Sequence, residues 1–97
     1  SRQFQKVLAY LLRTGQLIQL DQRYMMEAQA YLEARRRLLQ MGSSGQEIRL
    51  SAFRDTLGTS RKVALALLEA FDRQGFTRKE GDARFLMPGA ASSAEEI

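Results

Sequence analysis

Residues 7–26, VLAYLLRTGQLIQLDQRYMM, and residues 67–87, LLEAFDRQGFTRKEGDARFLM, obey one grammar. Each runs from an apolar helical stretch through Arg-x-Gly (Arg13/Gly15, Arg73/Gly75) into a β-rich segment. Each then reaches Asp-x-Arg-aromatic (Asp21/Arg23/Tyr24, Asp82/Arg84/Phe85). A glycine just past the last helical turn takes the left-handed conformation that ends a helix and reverses the chain. Helix, glycine cap and two-stranded hairpin form the closing half of a winged helix. The step from Asp21 to Asp82 is one longer than that from Gly15 to Gly75, so the second hairpin is expected to be the longer by one. Few folds tolerate this unit twice in 97 residues.

The intervening residues supply the opening half. EAQAYLEARRRLLQM (27–41) places Ala28, Tyr31, Leu32, Leu38, Leu39 and Met41 on a broad helical stripe. GSSG (42–45) reads as a loop, and EIRL (47–50) as a short strand with Ile48 and Leu50 facing inward. Ser51 is expected to cap the helix AFRDTL, Gly58 to end it, and Thr59 or Ser60 to cap the next. In that next helix Ala64, Leu67, Leu68 and Phe71 follow i, i+3, i+4, i+7 spacing. Residues 51–73 are thus a helix-turn-helix. The expected fold class is mainly α with a small β-hairpin wing: a winged helix-turn-helix over 27–88. It follows the closing helix and hairpin of a second winged helix (1–26) and precedes a disordered tail (89–97). Because Val7, Leu8, Leu11 and Leu12 would otherwise lack cover, the chain is expected to be a piece of a longer protein.

Composition narrows the chemistry. Cysteine and histidine are absent, which removes disulfides, thiolate nucleophiles, imidazole bases and the usual zinc ligands. No phosphate-cradling GxxxxGK[ST] loop or nucleophile elbow occurs, and Asp55 and Asp72 read as isolated helix acids. Neither an enzyme nor a cofactor is expected. No apolar run reaches a membrane span and no signal peptide is visible, so a cytoplasmic, monomeric protein without a membrane partner is expected. Net charge is +4; residues 1–50 carry eight Lys/Arg against four acids, and 51–97 carry seven against seven. Placement of charge therefore matters more than its sum.

Arg61 and Lys62 open the second helix of the helix-turn-helix, at the positive end of its dipole, where cations are disfavoured. An anion lodged there resolves the conflict, since that helix presents its N-terminal residues and free N–H groups to nucleic acid. The wing gives a second cue: it carries Thr77, Arg78 and Lys79, whereas the first hairpin is apolar at Leu17, Ile18 and Leu20. Arg84 is expected to pair with Asp82, as Arg23 with Asp21. The run Arg35-Arg36-Arg37 fans around its helix and reads mostly as a solvated face.

Residues 53–86 resemble the C-terminal winged-helix domain of the selenocysteine-specific elongation factor SelB family, through FRD, LG-S-RK, LLE-FD and TR--GD-R in order. Residues 4–26 look like the tail of the preceding winged helix in that family. The resemblance implies binding of the mRNA stem-loop that marks a selenocysteine codon. It also implies a parent translation GTPase that works on the ribosome, whose GTPase and tRNA-binding parts are not in this chain. Carried over by motif, RNA contact falls on Arg54, on Gly58, Thr59, Ser60, Arg61 and Lys62, and on Arg78, Lys79 and Arg84, with unstacked bases entering a pocket near 58–61. Two departures from the family's usual wing, Glu80 and Ala83, remove positive charge, and Val63 replaces a frequent tyrosine. Two other readings stay open: a DNA-binding regulator, and a protein-interaction module using the apolar helix 4–14.

Overall fold

The computed structural model describes residues 1–91. Helix α1 (Arg2–Arg13) leads into strands β1 (Leu17–Gln19) and β2 (Met25–Glu27), which form an antiparallel pair. Helix α2 (Ala28–Met41), a 3-10 turn (Ser43–Gly45), strand β3 (Ile48–Arg49) and helices α3 (Leu50–Leu57) and α4 (Arg61–Gln74) follow. Strands β4 (Thr77–Glu80) and β5 (Ala83–Leu86) close the chain into a sheet of order β3-β5-β4, antiparallel throughout.

The repeat is visible in backbone hydrogen bonds. Gly15 and Gly75 both adopt positive φ (79° and 81°). Gln16 N–H donates to the Leu11 carbonyl and Phe76 N–H to that of Phe71, both at 2.9 Å. The same helix-terminating bond thus occurs in both copies. The hairpins then diverge, contrary to expectation. The first has three paired residues per strand and the turn 20–24; the second has four, joined by Gly81 and Asp82. From first to last paired residue the first hairpin, Leu17 to Glu27, is one residue longer than the second, Thr77 to Leu86. The Asp-x-Arg motifs therefore match in sequence but not in place. Arg84 is on a strand opposite Lys79, and Arg23 is in a turn.

The core is an aromatic cluster backed by aliphatics. Phe71 of α4 packs edge-on against Phe53 of α3 and Phe76 (centroids 6.5 and 6.2 Å) and tilts against Tyr31 of α2 at 5.6 Å. Such offset and T-shaped pairs are favoured by the ring quadrupole. Ala64, Leu67, Leu68 and Phe71 are all fully buried, which places the predicted stripe of α4 inward. Strand β3 is shorter than expected: Ile48 is buried, but Leu50 already belongs to α3. Ser51 therefore lies inside that helix, whose N-cap is Arg49 with no side-chain cap bond. Gly58, at φ 65°, ends α3, and Ser60 caps α4 by accepting from Val63 N–H at 3.2 Å.

The arginine run of α2 is not one solvated face. Arg35 is buried with its guanidinium over Phe76 (5.3 Å) and Tyr31 (5.8 Å), so it is a core residue held by ring faces. Arg36 and Arg37 both pair with Glu33, at 2.5 and 2.9 Å. The first hairpin is fastened to the rest of the chain. Leu20 is buried, its carbonyl accepts from the Arg73 guanidinium, and Tyr31 Oη donates to Gln74 Oε1 at 2.6 Å on the adjoining helices. Of the tail expected to be disordered (89–97), Gly89–Ala91 turn back so that Ala90 is buried against the core; residues 92–97 lie outside the described residues.

Candidate nucleic-acid interface

Helix α4 begins with Arg61, and its first intrahelical bond is Ala64 N–H to the Ser60 carbonyl. Ser60 Oγ takes the Val63 N–H, so the N–H groups of Arg61 and Lys62 are left for water or an anion. Beside this terminus a cleft of about 410 Å³ opens between α4, the start of α3 and the wing. Its charged lining is Arg49, Arg61, Lys79 and Arg84 against one acid, Asp82. Leu50, Ser51 and Leu65 complete the walls.

The expected site residues divide into three groups. Arg61 and Lys79 meet in the cleft, and among the described residues neither has an ion-pair partner. Arg84 reaches the cleft from beneath. It is only 4% exposed and pairs with Asp72 (Nη2–Oδ2 3.0 Å) rather than with Asp82. Asp72 also accepts from Thr77 Oγ1 at 2.6 Å, so this acid organises the wing and is not the isolated residue expected. The remaining residues stand apart. Lys62 faces another cleft, beside the first hairpin, and Arg54 pairs with Asp55 at 3.0 Å. Arg78 lies over the Phe85 ring at 4.9 Å and pairs with Glu80, on the wing face opposite Lys79. Gly58 and Thr59 form the turn between α3 and α4 but do not line the cleft. Of the residues 58–61, where a pocket was expected, only Arg61 lines this cleft, which extends along 49–51 and the wing.

Sequence reasoning missed Arg49. It sits at the end of β3, opposite Ala83 of β5, and pairs with Glu47 at 3.0 Å while lining the cleft. Register makes this legible only afterwards: β3 pairs with β5, so its last residue must lie beside the wing. The turn of the first hairpin is also organised differently from expectation. Asp21 Oδ1 accepts the N–H groups of Arg23 (2.7 Å) and Tyr24 (2.8 Å), fixing the turn through backbone and leaving the Arg23 guanidinium unpaired among the described residues. Among those residues no group of three or more His, Cys, Asp or Glu is placed to hold a metal ion, and no helix is long and apolar enough to cross a membrane.

A helix-turn-helix closed by a three-stranded sheet, with a cationic cleft where second helix and wing meet, defines a winged-helix domain. Residues 40–86 match the family described as elongation factor SelB, winged helix. The selenocysteine-specific elongation factor of Escherichia coli (strain K12) is 56% identical over 34 residues, 35% of this chain and 6% of that protein. The mRNA-binding domain of elongation factor SelB from E. coli, solved in complex with SECIS RNA, superposes with a TM-score of 0.73 at 28% identity. That likeness covers 82% of this chain and 66% of the solved one. The chain therefore spans a small fraction of the curated relative and just under two thirds of the structural one.

Proposed function

We propose that this chain is the RNA-binding end of a selenocysteine-specific translation elongation factor, and that it holds an mRNA stem-loop in the cleft between α4 and the wing. The observation that carries the reading is the cleft's composition: Arg61 and Lys79 unpaired, Arg49 on the rim and Arg84 fixed below, in a domain whose structural relative was solved with SECIS RNA. A phosphate seated there would meet the free N–H groups of α4 and two unpaired cations, which removes the repulsion that Arg61 and Lys62 otherwise suffer. Side chains cannot read the deep major groove of A-form RNA, so specificity rests on shape and unstacked bases. Backbone charge supplies most of the affinity.

The parent factor would carry the GTPase and tRNA-binding activities and bring this domain to the ribosome in the cytoplasm; the chain itself binds as a monomer and catalyses nothing. Residues 1–26 are read as the end of a preceding winged helix, with 27–88 as the RNA-binding one. In support, Phe4, Val7, Leu8 and Leu11 of α1 occupy the places of Ala64, Leu67, Leu68 and Phe71 on α4, yet Phe4 and Val7 are 64% and 51% exposed. The test is competition between a bulged RNA stem-loop and duplex DNA of matched length, repeated across salt concentrations. RNA should win, with log K falling against log salt at a slope of about −3 to −4 for four or five phosphates. Preference for the duplex would transfer the domain to the DNA-binding class.

A further inference from the structure

Arg23 has no counterpart of the environment that buries Arg84. On α4 the acid that holds Arg84 is Asp72; the equivalent place on α1, counted back from Gly15 as Asp72 is from Gly75, is Leu12. Arg84 is on a strand, whereas Arg23 is at the tip of a turn whose carboxylate, Asp21, is already committed to two backbone N–H groups. The guanidinium is left exposed and without an ion-pair partner among the described residues. A structural role of the kind Arg84 plays is therefore closed to it.

Its position is fixed nonetheless. Burial of Leu20 and the bond from Arg73 to the Leu20 carbonyl hold the turn beside the outer face of α4. There Asp21, Arg23 and Tyr24 line a cleft of about 280 Å³ whose other wall is Lys62, Leu65, Ala66 and Glu69. Leu65 lines this cleft and the wing cleft alike, so the two flank one ridge of the recognition helix, with Arg61 on one side and Lys62 on the other. Of the two acids lining the cleft with Arg23, Glu69 is about two helical turns along α4 from Lys62, and Asp21 already accepts two backbone N–H groups.

Building on the RNA reading above, we propose that Arg23 is a second anchor for the sugar-phosphate backbone of the same RNA. The backbone would run from the wing cleft across Leu65 to the turn of the first hairpin. Both repeats then build the RNA surface, and the fastening of Leu20 by Arg73 positions it. Lys62, which turns away from the wing cleft, acquires a partner role on this side.

The test titrates the full chain with a SECIS-type RNA hairpin at several salt concentrations, using Arg23→Ala, Arg23→Lys, Arg61→Ala and Lys6→Ala. Lys6 lines neither cleft and removes the same unit of charge. Arg23→Ala should weaken binding roughly three- to tenfold and flatten the salt slope by about 0.7–0.9. Arg23→Lys should keep the slope, and Lys6→Ala should bind as the parent does. Thermal melts of unchanged midpoint would exclude unfolding. If Arg61→Ala weakens binding while Arg23→Ala does not, or if Arg23→Ala and Lys6→Ala weaken it equally, the second anchor is wrong and the wing cleft stands. If neither Arg61→Ala nor Arg23→Ala has an effect, both readings fall.

Discussion

Asp72 on α4 holds Arg84 on β5 through Nη2 (3.0 Å) and Nε (3.1 Å) to one carboxylate oxygen, while the other takes the Thr77 hydroxyl. One acid thus ties both strands of the wing to the recognition helix. Arg84 is 4% exposed and Asp72 25%, so removing either leaves a charge largely shut away from water. Arg84→Ala should cost about 3 kcal/mol of folding stability, at the lower end for buried pairs because Asp72 keeps some solvent. The double variant Asp72→Ala/Arg84→Met should recover much of that loss in urea unfolding. A loss of RNA affinity in Arg84→Ala at full stability would instead make Arg84 a direct contact.

The wing's two exposed cations should behave unequally. Lys79 shares a face with Arg84 and points into the cleft, whereas Arg78 stacks on Phe85 and pairs with Glu80 on the other face. Lys79→Ala should weaken RNA binding by about 1 kcal/mol and reduce the salt slope by close to one unit. Arg78→Ala should change affinity by less than about 0.5 kcal/mol, because surface pairs contribute little. Comparable losses from both would mean that the RNA straddles the wing instead of lying along one side. Arg61→Ala, at the helix terminus, should cost the most, about 1–3 kcal/mol.

The winged helix-turn-helix was legible because its signals are local. Glycine caps, a serine N-cap and the i, i+3, i+4, i+7 stripe of α4 depend on a few neighbouring residues, and each reappears in the structure. What escaped the sequence depends on register and on packing at a distance. A triplet of arginines gives no sign that its first member lies over Phe76, beyond α4. Two Asp-x-Arg motifs look equivalent until the ladders place one on a strand and the other in a turn. The make-up of the cleft beside the wing escaped for the same reason. Arg49 enters it only through the pairing of β3 with β5, and Arg84 is buried beneath it because Asp72, which also takes the Thr77 hydroxyl, pairs with its guanidinium.

Glu33 offers a titration that checks the arginine run. Hydrogen bonds from Arg36 and then Arg37 lower its pKa from the ordinary 4.5 to about 2, and the same pairing raises that of Arg36. A depressed folded pKa stabilises the native state above the unfolded value. The contribution is whole above pH 4.5 and disappears as pH falls through about 2. Carboxyl NMR should therefore give Glu33 a midpoint near 2. Stability curves of the parent and Glu33→Gln should separate above pH 4.5 and converge in strong acid. An ordinary midpoint would show that Arg36 and Arg37 stay in solvent.

Gly42 was legible only as part of a loop, yet its surroundings are the tightest of any glycine in the chain. It is buried at the end of α2 with φ −93°, an ordinary backbone that any residue adopts. A Cβ there would stand 2.6 Å from Leu86 Cγ and 2.9 Å from Ile48 Cδ1, side chains of β5 and β3. Gly42→Ala thus asks for overpacking and not for an unusual backbone, and should cost about 1–3 kcal/mol. Gly58→Ala is the converse case, with φ 65° and nothing within 4 Å of the added methyl; it should cost about 1 kcal/mol from backbone strain alone. Leu86→Ala separates the two. It opens space beside Gly42 and destabilises the parent, but in its presence Gly42→Ala should lose most of its penalty, while Gly58→Ala keeps its own. Urea unfolding of the two double variants measures that coupling, and strict additivity at Gly42 and Leu86 would contradict the contact between helix α2 and the sheet.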